Sequence, residues 1–580
     1  MAGGLLNIVA YGNQNVILNG NPSKTFFKST YKKYTNFGMQ KFRVDFDGVR
    51  KLRMSEPSKF TFRIPRYAEL LMDTYLCVQL PTIWSPIFPP QGDNGIWQPY
   101  EFKWIENLGS KMINEVVFSV GGQVINRYSG DFILAQVQRD FSKVKTDLFD
   151  KMTGNVPELN DPANFGGRVN VYPNAYNSEE DTSAGPEPSI RARKLYIPLN
   201  SWFSLASTMA FPLVSLQYNE LEIDITLKPV QELFQVRDVE DTENMGPYIQ
   251  PNFNSGLYSF YRFLQPPPDI SLSTSGYEIT RTDWNADVHL LCTYCFLSEE
   301  ESKVFAAKEQ KYLFKSIYEW KYFNVVGTRK VKLESSSGMV SSLMWYFQRS
   351  DINMRNEWSN YTNWPYNHML PYDVISAPTT LNSSSSSSSN NGSIISPGGV
   401  IPFEYLTSDG TSASLTVGPG VNPSGEPTGL FITGPFAPEN QKNILENLGI
   451  MLDGKYRENL LDSGVYNYVE KYLTTPGNAP DGLYVYNFCL HTDPYTTQPS
   501  GALNLSKFTD IQLEFDTHVP SLLNPDSVFK VICDPETNEV IGTTKPSWCL
   551  YEYSYNLTVM EERYNVLHFV AGNCGLLYAR

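Results

Sequence analysis

The chain has 580 residues, about four times a typical domain of roughly 150 residues, so we expect more than one domain. Aromatic residues make up 14% and charged residues only 18%, beside 39 glycines and 39 prolines. This composition favours an all-β protein with many turns and excludes disorder, collagen and coiled coil as the main state. The net charge of −15 argues against direct wrapping of nucleic acid, which requires a basic surface.

Cysteine usage and the N-terminus bear on the compartment in which the chain folds. Seven cysteines are scattered along the sequence, which fits free thiols in a reducing compartment better than a disulfide framework. The first residues lack the basic start and the continuous apolar run of a signal peptide. No segment predicts a transmembrane helix, and Ala2 stands where myristoylation requires glycine.

Short segments of alternating apolar and polar residues predict strands along most of the chain. The run 116–120 leads into Gly121-Gly122 and then into 123–125, which predicts a two-residue hairpin because glycine tolerates positive φ angles. Further strands are predicted at 221–227, 288–297 and 511–516.

Helix signals occur at three places. Asp131 is predicted to cap a helix with an apolar side formed by Ile133, Val137, Phe141 and Val144. Ser298 and Glu301 form a capping box that opens a second helix. A third helix is predicted after Pro438, with an apolar stripe from Ile444 to Leu452 and Gly454 at its end.

The second helix divides the chain almost in half and predicts two domains. We expect an N-terminal arm at 1–24, a first domain at 25–297, a connecting helix at 298–310 and a second domain at 311–580. The segment 376–440 is rich in Ser, Gly, Pro, Thr and Asn, and seven serines run from Ser383 to Ser389. Because such a composition cannot build a core, we expect an exposed loop on the outer surface of the second domain.

Motifs for catalysis, cofactors or metals are weak. Residues 449–455 match Gly-x4-Gly-Lys, but Tyr456 replaces the Ser or Thr of a phosphate-binding loop and the match lies at the end of the predicted third helix. Cys292 and Cys295 have metal-knuckle spacing without a second pair, so we interpret them as buried structural residues on opposite faces of a strand. We predict no enzyme, no cofactor and no metal, although a glycosidase that uses only carboxylates stays open.

One charged segment stands out from this acidic background. The segment from Lys24 to Arg66 contains twelve basic and three acidic residues. Its net charge is therefore +9, and the net charge of the rest of the chain is −24. A solvated face explains such a run equally well, but a docking surface for an acidic partner or anionic lipid is the more specific hypothesis. The candidate docking residues are Lys32, Lys33, Lys41 and Arg43.

Sequence blocks along nearly the whole chain resemble the major capsid proteins of nucleocytoplasmic large DNA viruses. The first blocks are Gly20-Asn-Pro-Ser-Lys-Thr-Phe-Phe-Lys and Tyr34-Thr-Asn-Phe. They are followed, in family order, by Ile64-Pro-Arg-Tyr-Ala-Glu-Leu-Leu, Val120-Gly-Gly-Gln-Val-Ile, Phe211-Pro-Leu-Val-Ser-Leu-Gln-Tyr, Pro499-Ser-Gly-Ala-Leu-Asn and Gly572-Asn-Cys-Gly-Leu-Leu-Tyr. Each block is weak alone, and their common order makes the resemblance specific.

The resemblance implies an all-β fold of two consecutive eight-stranded jelly rolls with long loops and a few short helices. It implies a structural subunit of a large icosahedral shell, with three chains in a pseudo-hexagonal capsomer that is made and assembled in the host cytoplasm. Implied partners are the chain itself, neighbouring capsomers, minor capsid and penton proteins and an internal membrane, with glycans on outer loops and no direct nucleic acid. The alternative from the residues is a lectin-like or fibre protein that binds surfaces.

Overall fold

The structure is a computed structural model that describes most of the chain. The described residues are 12–46, 48, 51–88, 98–173, 187–238, 248–254, 258–265, 283–334, 338–367, 401–406, 412–421, 427–432, 441–520, 531–533, 540–543 and 552–578.

Eight strands of the first half form two antiparallel sheets around one core. They are β1 (Phe37–Val44), β2 (Ser58–Arg63), β3 (Leu70–Leu80), β4 (Ile113–Val120), β5 (Gln123–Tyr128), β6 (Arg193–Pro198), β7 (Leu221–Leu227) and β8 (His289–Leu297). The order is β1-β8-β3-β6 in one sheet and β2-β7-β4-β5 in the other. Side chains from both sheets, such as Leu76 and Phe118, share one buried cluster, so the sheets face each other.

Eight strands of the second half repeat this arrangement. They are β9 (Gln310–Val325), β10 (Thr328–Lys332), β11 (Met339–Arg349), β12 (Leu445–Leu452), β13 (Lys455–Asp462), β14 (Leu483–Asn487), β15 (Ile511–Thr517) and β16 (Tyr555–Val570). The sheets are β9-β16-β11-β14 and β10-β15-β12-β13, so each strand takes the place of the strand eight positions before it. This is a pair of jelly-roll sandwiches, and the predicted fold class is confirmed.

The strands form where the alternation predicts them. Along β7 the residues are buried and half-buried in strict alternation, and β15 (Ile511–Thr517) covers the predicted strand at 511–516 and extends it by one residue. The β4–β5 hairpin turns at Gly121 and Gly122, whose φ angles are 57° and 80°. Both angles lie in the left-handed region that glycine enters at little cost, which is why the turn is short.

Four longer helices connect the strands. They are α1 (Gly130–Asp140), α2 (Lys143–Thr153), α3 (Glu299–Ala307) and α4 (463–474), of which Val465–Val469 is π-helical and Glu470–Thr474 is α-helical. Shorter helical turns lie at Asn13–Asn15, Val16–Asn19, Leu108–Lys111, Pro157–Asn160, Pro162–Asn164, Trp202–Leu205, Ser207–Met209, Leu213–Ser215, Val230–Glu232, Phe260–Leu264, Ile352–Met354 and Leu505–Lys507. Within the described ranges, no helix is both long enough and apolar enough to cross a membrane.

Two helix predictions need correction. The predicted third helix is wrong: 445–452 is strand β12, and Asp453 and Gly454 turn the chain into β13 with φ angles of 47° and 76°. Its apolar residues satisfy a strand period as well as a helical one, and the Asp-Gly turn decides between them. Residues 449–455 are therefore a hairpin rather than a phosphate-binding loop, since no helix follows them directly.

The first helix begins earlier than predicted and is divided. Ser129, not Asp131, is its N-cap, and its hydroxyl oxygen accepts a hydrogen bond from the Phe132 backbone N–H at 3.3 Å. Helix α1 ends at Asp140 and α2 starts at Lys143, so Val144 lies on a separate and exposed surface. Helix α3 begins after Ser298, at the place the capping box predicts.

Short strands extend or accompany the four main sheets. They lie at Lys51–Arg53, Ile87–Phe88, Gln98–Pro99, Phe102–Trp104, Phe211–Pro212, Phe234–Arg237, Tyr248–Ile249, Asp283–Asn285, Leu503–Asn504, Val531–Cys533, Val540–Thr543 and Asn573–Leu576. Part of the predicted loop at 376–440 is a three-stranded antiparallel sheet of Ile401–Leu406, Ser412–Val421 and Pro427–Ile432. The serine run Ser383–Ser389 lies outside the described residues.

Gly130 allows helix α1 to pack closely on the first sandwich. A Cβ atom on Gly130 would overlap the Ser110 carbonyl oxygen, whereas one on Gly38 of β1 would meet nothing within 4 Å. We expect Gly130→Ala to lower the free energy of unfolding by about 1–3 kcal/mol, the usual cost of overpacking. Denaturant unfolding followed by fluorescence measures the change. Gly38→Ala is the control, and equal stabilities of the two variants would contradict the close approach.

Candidate functional site

A cavity lies where the two sandwiches meet, but it is too small for a typical substrate. Its volume is about 100 Å³, and its walls include Gln136, Asn200, Lys315, His491 and Glu562. Ligand pockets usually measure roughly 300–1,000 Å³. Asp493 is the carboxylate that follows His491 by two positions in the sequence. It accepts hydrogen bonds from Tyr495 and Thr496 and so stabilises a turn.

The cysteine pair behaves as the sequence predicts. Cys292 lies in the main core, whereas Cys295 packs with Leu70 and Ala210 in a separate small cluster, so the two thiols point to opposite faces. Burial raises the pKa of Cys292 to about 12, which keeps its thiol protonated at neutral pH. In the part of the chain that the structure describes, no group of three or more His, Cys, Asp or Glu side chains is placed to hold a metal ion.

The most elaborate polar arrangement is the junction between the two sandwiches, which we define as α1 with the facing residues of β9, β11 and β16. At the start of α1, both the backbone N–H and the hydroxyl of Ser129 donate to Oε1 of Glu319 on β9, at 2.8 and 3.0 Å. Just before the helix, the Asn126 side-chain oxygen accepts the Ile317 backbone N–H at 3.1 Å. The N-terminal end of α1 is thus fixed to the second sandwich.

A buried ionic network holds the other end of α1. Nη2 of Arg139 donates to both carboxylate oxygens of Glu562 on β16 at 3.0 Å, and Nη1 donates to Oγ of Ser342 on β11 at 3.0 Å. Lys315 on β9 reaches Glu562 at 3.2 Å. Asp140 binds the same guanidinium at 2.6 Å. Arg139 and Glu562 are almost completely buried, so these charges depend on one another for solvation.

The pKa values of the two carboxylates in this network, Asp140 and Glu562, shift in opposite directions. Burial by itself raises the pKa of Glu562, but Arg139 and Lys315 outweigh burial and hold that pKa well below the ordinary value. For Asp140, burial outweighs the attraction of Arg139, so its pKa is raised. At neutral pH, Glu562 is therefore the carboxylate that the junction stabilises in its charged form.

Asp131, which the sequence predicts as a helix cap, instead forms a second ion pair, with the buried Lys111. Its Oδ1 accepts a hydrogen bond from Nζ of Lys111 at 2.7 Å, and the same ammonium lies 3.3 Å from the Tyr361 hydroxyl of the second half. Burial alone would raise the pKa of Asp131, but the positive charges of Lys111 and Lys228 have the larger effect. The pKa of Asp131 is therefore held below its ordinary value. This pair therefore adds another link between the halves.

Aromatic side chains of the two halves pack against one another on the apolar side of the junction. The rings of Trp202 and Phe314 have centroids 5.0 Å apart, and those of Phe211 and Phe569 are 5.3 Å apart at nearly right angles. The main core cluster includes residues of both halves, such as Phe132 and Met560. None of these long-range pairs carries a local sequence signal, since Arg139 and Glu562 are 423 residues apart.

The four candidate docking residues fall into two groups. Lys32 and Lys33 lie in an exposed segment at 21–36, which precedes β1 and also exposes Phe26 and Phe27 almost completely, at 91% and 99%. Lys41 and Arg43 lie on β1 itself. Arg43 pairs with Asp45 at 2.9 Å and with Asp287 at 2.6 Å, so its charge is largely compensated within the chain.

Comparisons with known proteins agree with this architecture. One family profile, described as the N-terminus of a major capsid protein, matches residues 25–263. Another, described as the major capsid protein of large eukaryotic DNA viruses, matches residues 301–575. The major capsid protein of Phaeocystis pouchetii virus is 25% identical to this chain over the full length of both proteins.

Solved structures show the same fold. PBCV-1 VP54 superposes with a TM-score of 0.58 at 18% identity, covering 96% of this chain and all of that chain. The Faustovirus major capsid protein gives a TM-score of 0.56 at 13% identity, covering 98% of this chain and 99% of that chain. The fold is thus the double jelly roll, which this chain shares with these two capsid proteins. The chain belongs to the family of major capsid proteins of large eukaryotic DNA viruses and is a structural component of the virion shell.

Removal of the Glu562 charge tests the junction. We expect Glu562→Gln to lower the free energy of unfolding by about 3–5 kcal/mol, because the buried Arg139 and the half-buried Lys315 then lose the negative charge that compensates them. Glu299→Gln removes an exposed partner of Lys303 and serves as the control, with no measurable change expected. Denaturant unfolding at pH 7 measures both variants, and equal effects would contradict the ionic junction.

The effect of Glu562→Gln should depend on pH. Because the pKa of Glu562 is lower in the folded chain than in the unfolded chain, its contribution to stability is complete above the unfolded value near 4.5. The contribution decreases as the pH falls from there toward the folded pKa. The difference between wild type and Glu562→Gln should therefore be smaller at pH 3 than at pH 7.

Proposed function

We propose that the chain forms a homotrimer and that the trimer is a pseudo-hexagonal capsomer of the viral shell. The observation that carries this proposal is the repetition of one strand order in both sandwiches, because three such chains supply six similar walls around a closed threefold axis. Hexagonal outlines tile a flat facet, and closed sandwiches leave few strand edges available for uncontrolled pairing. The chain then acts as a building element and has no catalytic role.

The mass of the purified protein in solution tests this proposal. We expect light scattering after size exclusion to give three times the chain mass of 65.8 kDa. Contacts between chains should bury on the order of 2,000–5,000 Å² each, as in obligate assemblies, so the trimer should persist at micromolar concentration. A stable folded monomer at that concentration would argue against the capsomer.

We further propose the division into an arm at 1–24, sandwiches at 25–297 and 311–580, and a connector at 298–310. Strand pairing supports it, because each main sheet draws all its strands from one side of α3. We place 376–440 on the outer surface of the shell, where glycans or host contacts would concentrate. The described cysteines, Cys77, Cys292, Cys295, Cys489 and Cys574, are free thiols, which supports assembly in the reducing host cytoplasm.

The exposed basic segment at 21–36 is our candidate for docking on the inner side of the shell. Lysines alternate there with exposed aromatic rings, a combination that suits acidic minor capsid and penton proteins or an internal membrane with anionic lipids. Of the candidate docking residues, Lys32 and Lys33 are exposed in this segment, whereas Lys41 and Arg43 contact the first sandwich. The whole chain is too acidic to favour direct binding of the genome.

Charge reversal tests the docking segment. We expect Lys32→Glu/Lys33→Glu to leave the trimer intact and to reduce the yield of assembled shells, because the altered charges lie outside the folded sandwiches. Lys308→Glu/Lys507→Glu changes the net charge equally at exposed positions elsewhere and is the control. Electron microscopy of particles from infected cells provides the count. Normal shell numbers from the first variant would exclude this role.

A further inference from the structure

The cavity at the junction has two buried polar groups in its walls that lack a hydrogen-bond partner. Gln136 of α1 and Asn200, which follows β6, both line this cavity. Oε1 of Gln136 and Nδ2 of Asn200 are buried, and neither atom has a partner among the residues that the structure describes. Gln136 is only 7% exposed, so bulk solvent reaches little of its side chain. Because an unpaired buried polar group is destabilising, the two atoms point to a bound polar molecule.

The charged groups in the same walls are compensated within the chain. Nζ of Lys315 lies 3.2 Å from the Glu562 carboxylate. Asp140 binds the guanidinium of Arg139 at 2.6 Å. A charged ligand would compete with these pairs, whereas a neutral ligand leaves them intact. The walls therefore favour a neutral molecule.

The unpaired atoms and the volume of the cavity narrow the chemistry of that molecule. Oε1 of Gln136 is an acceptor and Nδ2 of Asn200 is a donor, and a hydroxyl group matches both because it donates and accepts. The volume is about 100 Å³. One water needs roughly 10–15 Å³, so several waters fit, as does one short polyol such as glycerol. Trp202, Met209 and Phe314 form apolar parts of the wall, which suit the carbon atoms of a polyol.

The segment 491–500 of the second half forms the outer wall of the cavity. The Thr492 hydroxyl donates to Oδ1 of Asp140 at 2.6 Å, and the ring of Tyr495 lies 5.5 Å from that of Phe141. These contacts hold the segment against the end of α1. A molecule in the cavity therefore touches both sandwiches, with Gln136 on one side and this segment on the other.

A smaller cavity between the halves repeats the pattern. Its volume is about 20 Å³, and its walls include Trp104 and Gln235 of the first half and Asn356 and Ser359 of the second. Trp104 is completely buried, and its Nε1 has no partner among the described residues. At roughly 10–15 Å³ for each water, this cavity admits one water and no larger molecule.

We propose that the larger cavity is a binding site for neutral hydroxyl groups, supplied by ordered waters or by one short polyol, which pair with Gln136 and Asn200. The smaller cavity binds one water at Trp104. Hydroxyl groups beside Lys315 and Glu562 also replace part of the hydration that this ion pair loses on burial. The site lies within one chain, so it does not depend on the proposed trimer.

Replacement of Gln136 by an apolar side chain of similar length tests the site through the sign of the stability change. If a hydroxyl group binds Oε1, Gln136→Met removes a hydrogen bond, and the melting temperature of the purified chain should fall by about 1–2 °C. In a dry cavity the same variant removes an unpaired buried atom, so an unchanged or higher melting temperature would overturn the proposal. Gln123→Met, at an exposed position, is the control and should melt like the wild type. Asn200 is not varied, because its φ of 49° would strain most other residues.

High-resolution density identifies the source of the hydroxyl groups. Two preparations of the full chain are compared, one without any polyol and one with glycerol. Separate peaks beside Gln136 in both preparations assign waters, and a connected molecule in the glycerol preparation assigns a polyol, so either result supports the site. The smaller cavity should show a single peak beside Nε1 of Trp104 in both. A larger cavity without density that takes up xenon under pressure is dry, and this result would exclude the proposed site.

Discussion

The position of helix α1 between two sandwiches is the constraint on which the rest of the architecture depends. Hydrogen bonds from Ser129 to Glu319 fix the start of the helix, and those from Arg139 to Glu562 fix its end. Because both anchor points lie on the second sandwich, α1 has little freedom to rotate or slide between the halves. These contacts therefore fix how α1, and the first sandwich on which it packs, is seated on the second sandwich.

Burial of charged groups at the junction costs hydration free energy, and the resulting ion pairs contribute mainly to the geometry of the contact. An apolar junction of similar volume would be as stable or more stable, because the charged groups lose their hydration on burial. A guanidinium with a carboxylate at 3.0 Å, however, accepts only a narrow range of positions, whereas apolar side chains slide past one another more easily. The aromatic pairs around Trp202 and Phe211 supply the apolar burial, while the ionic network sets the register.

Local patterns predict local structure, and they fail where two interpretations fit the same residues. The Gly121-Gly122 hairpin and strand β7 follow from alternation and glycine, so both could be predicted. The run from Ile444 to Leu452 satisfies two periods, and only the Asp453-Gly454 turn identifies it as a strand. The pairing of Arg139 with Glu562 joins residues 423 positions apart, and no local pattern encodes it. The family resemblance predicted the fold but not the residues that join its halves.

The two sandwiches repeat one strand order, but the helices that follow their fifth strands differ in sequence. A protein that repeats one sandwich must present different outer surfaces from the two copies, or identical surfaces would associate without order. Here Arg139 lies in the last turn of helix α1, whereas the residue of helix α4 at the same distance from the Ser-Gly start (129–130 and 463–464) is Leu473, which is exposed. Arg139 pairs with Glu562 of its own chain, whereas a leucine cannot form such an ion pair. Helix α4 therefore lacks the ionic group that holds the end of helix α1, so it cannot replace α1 at the junction.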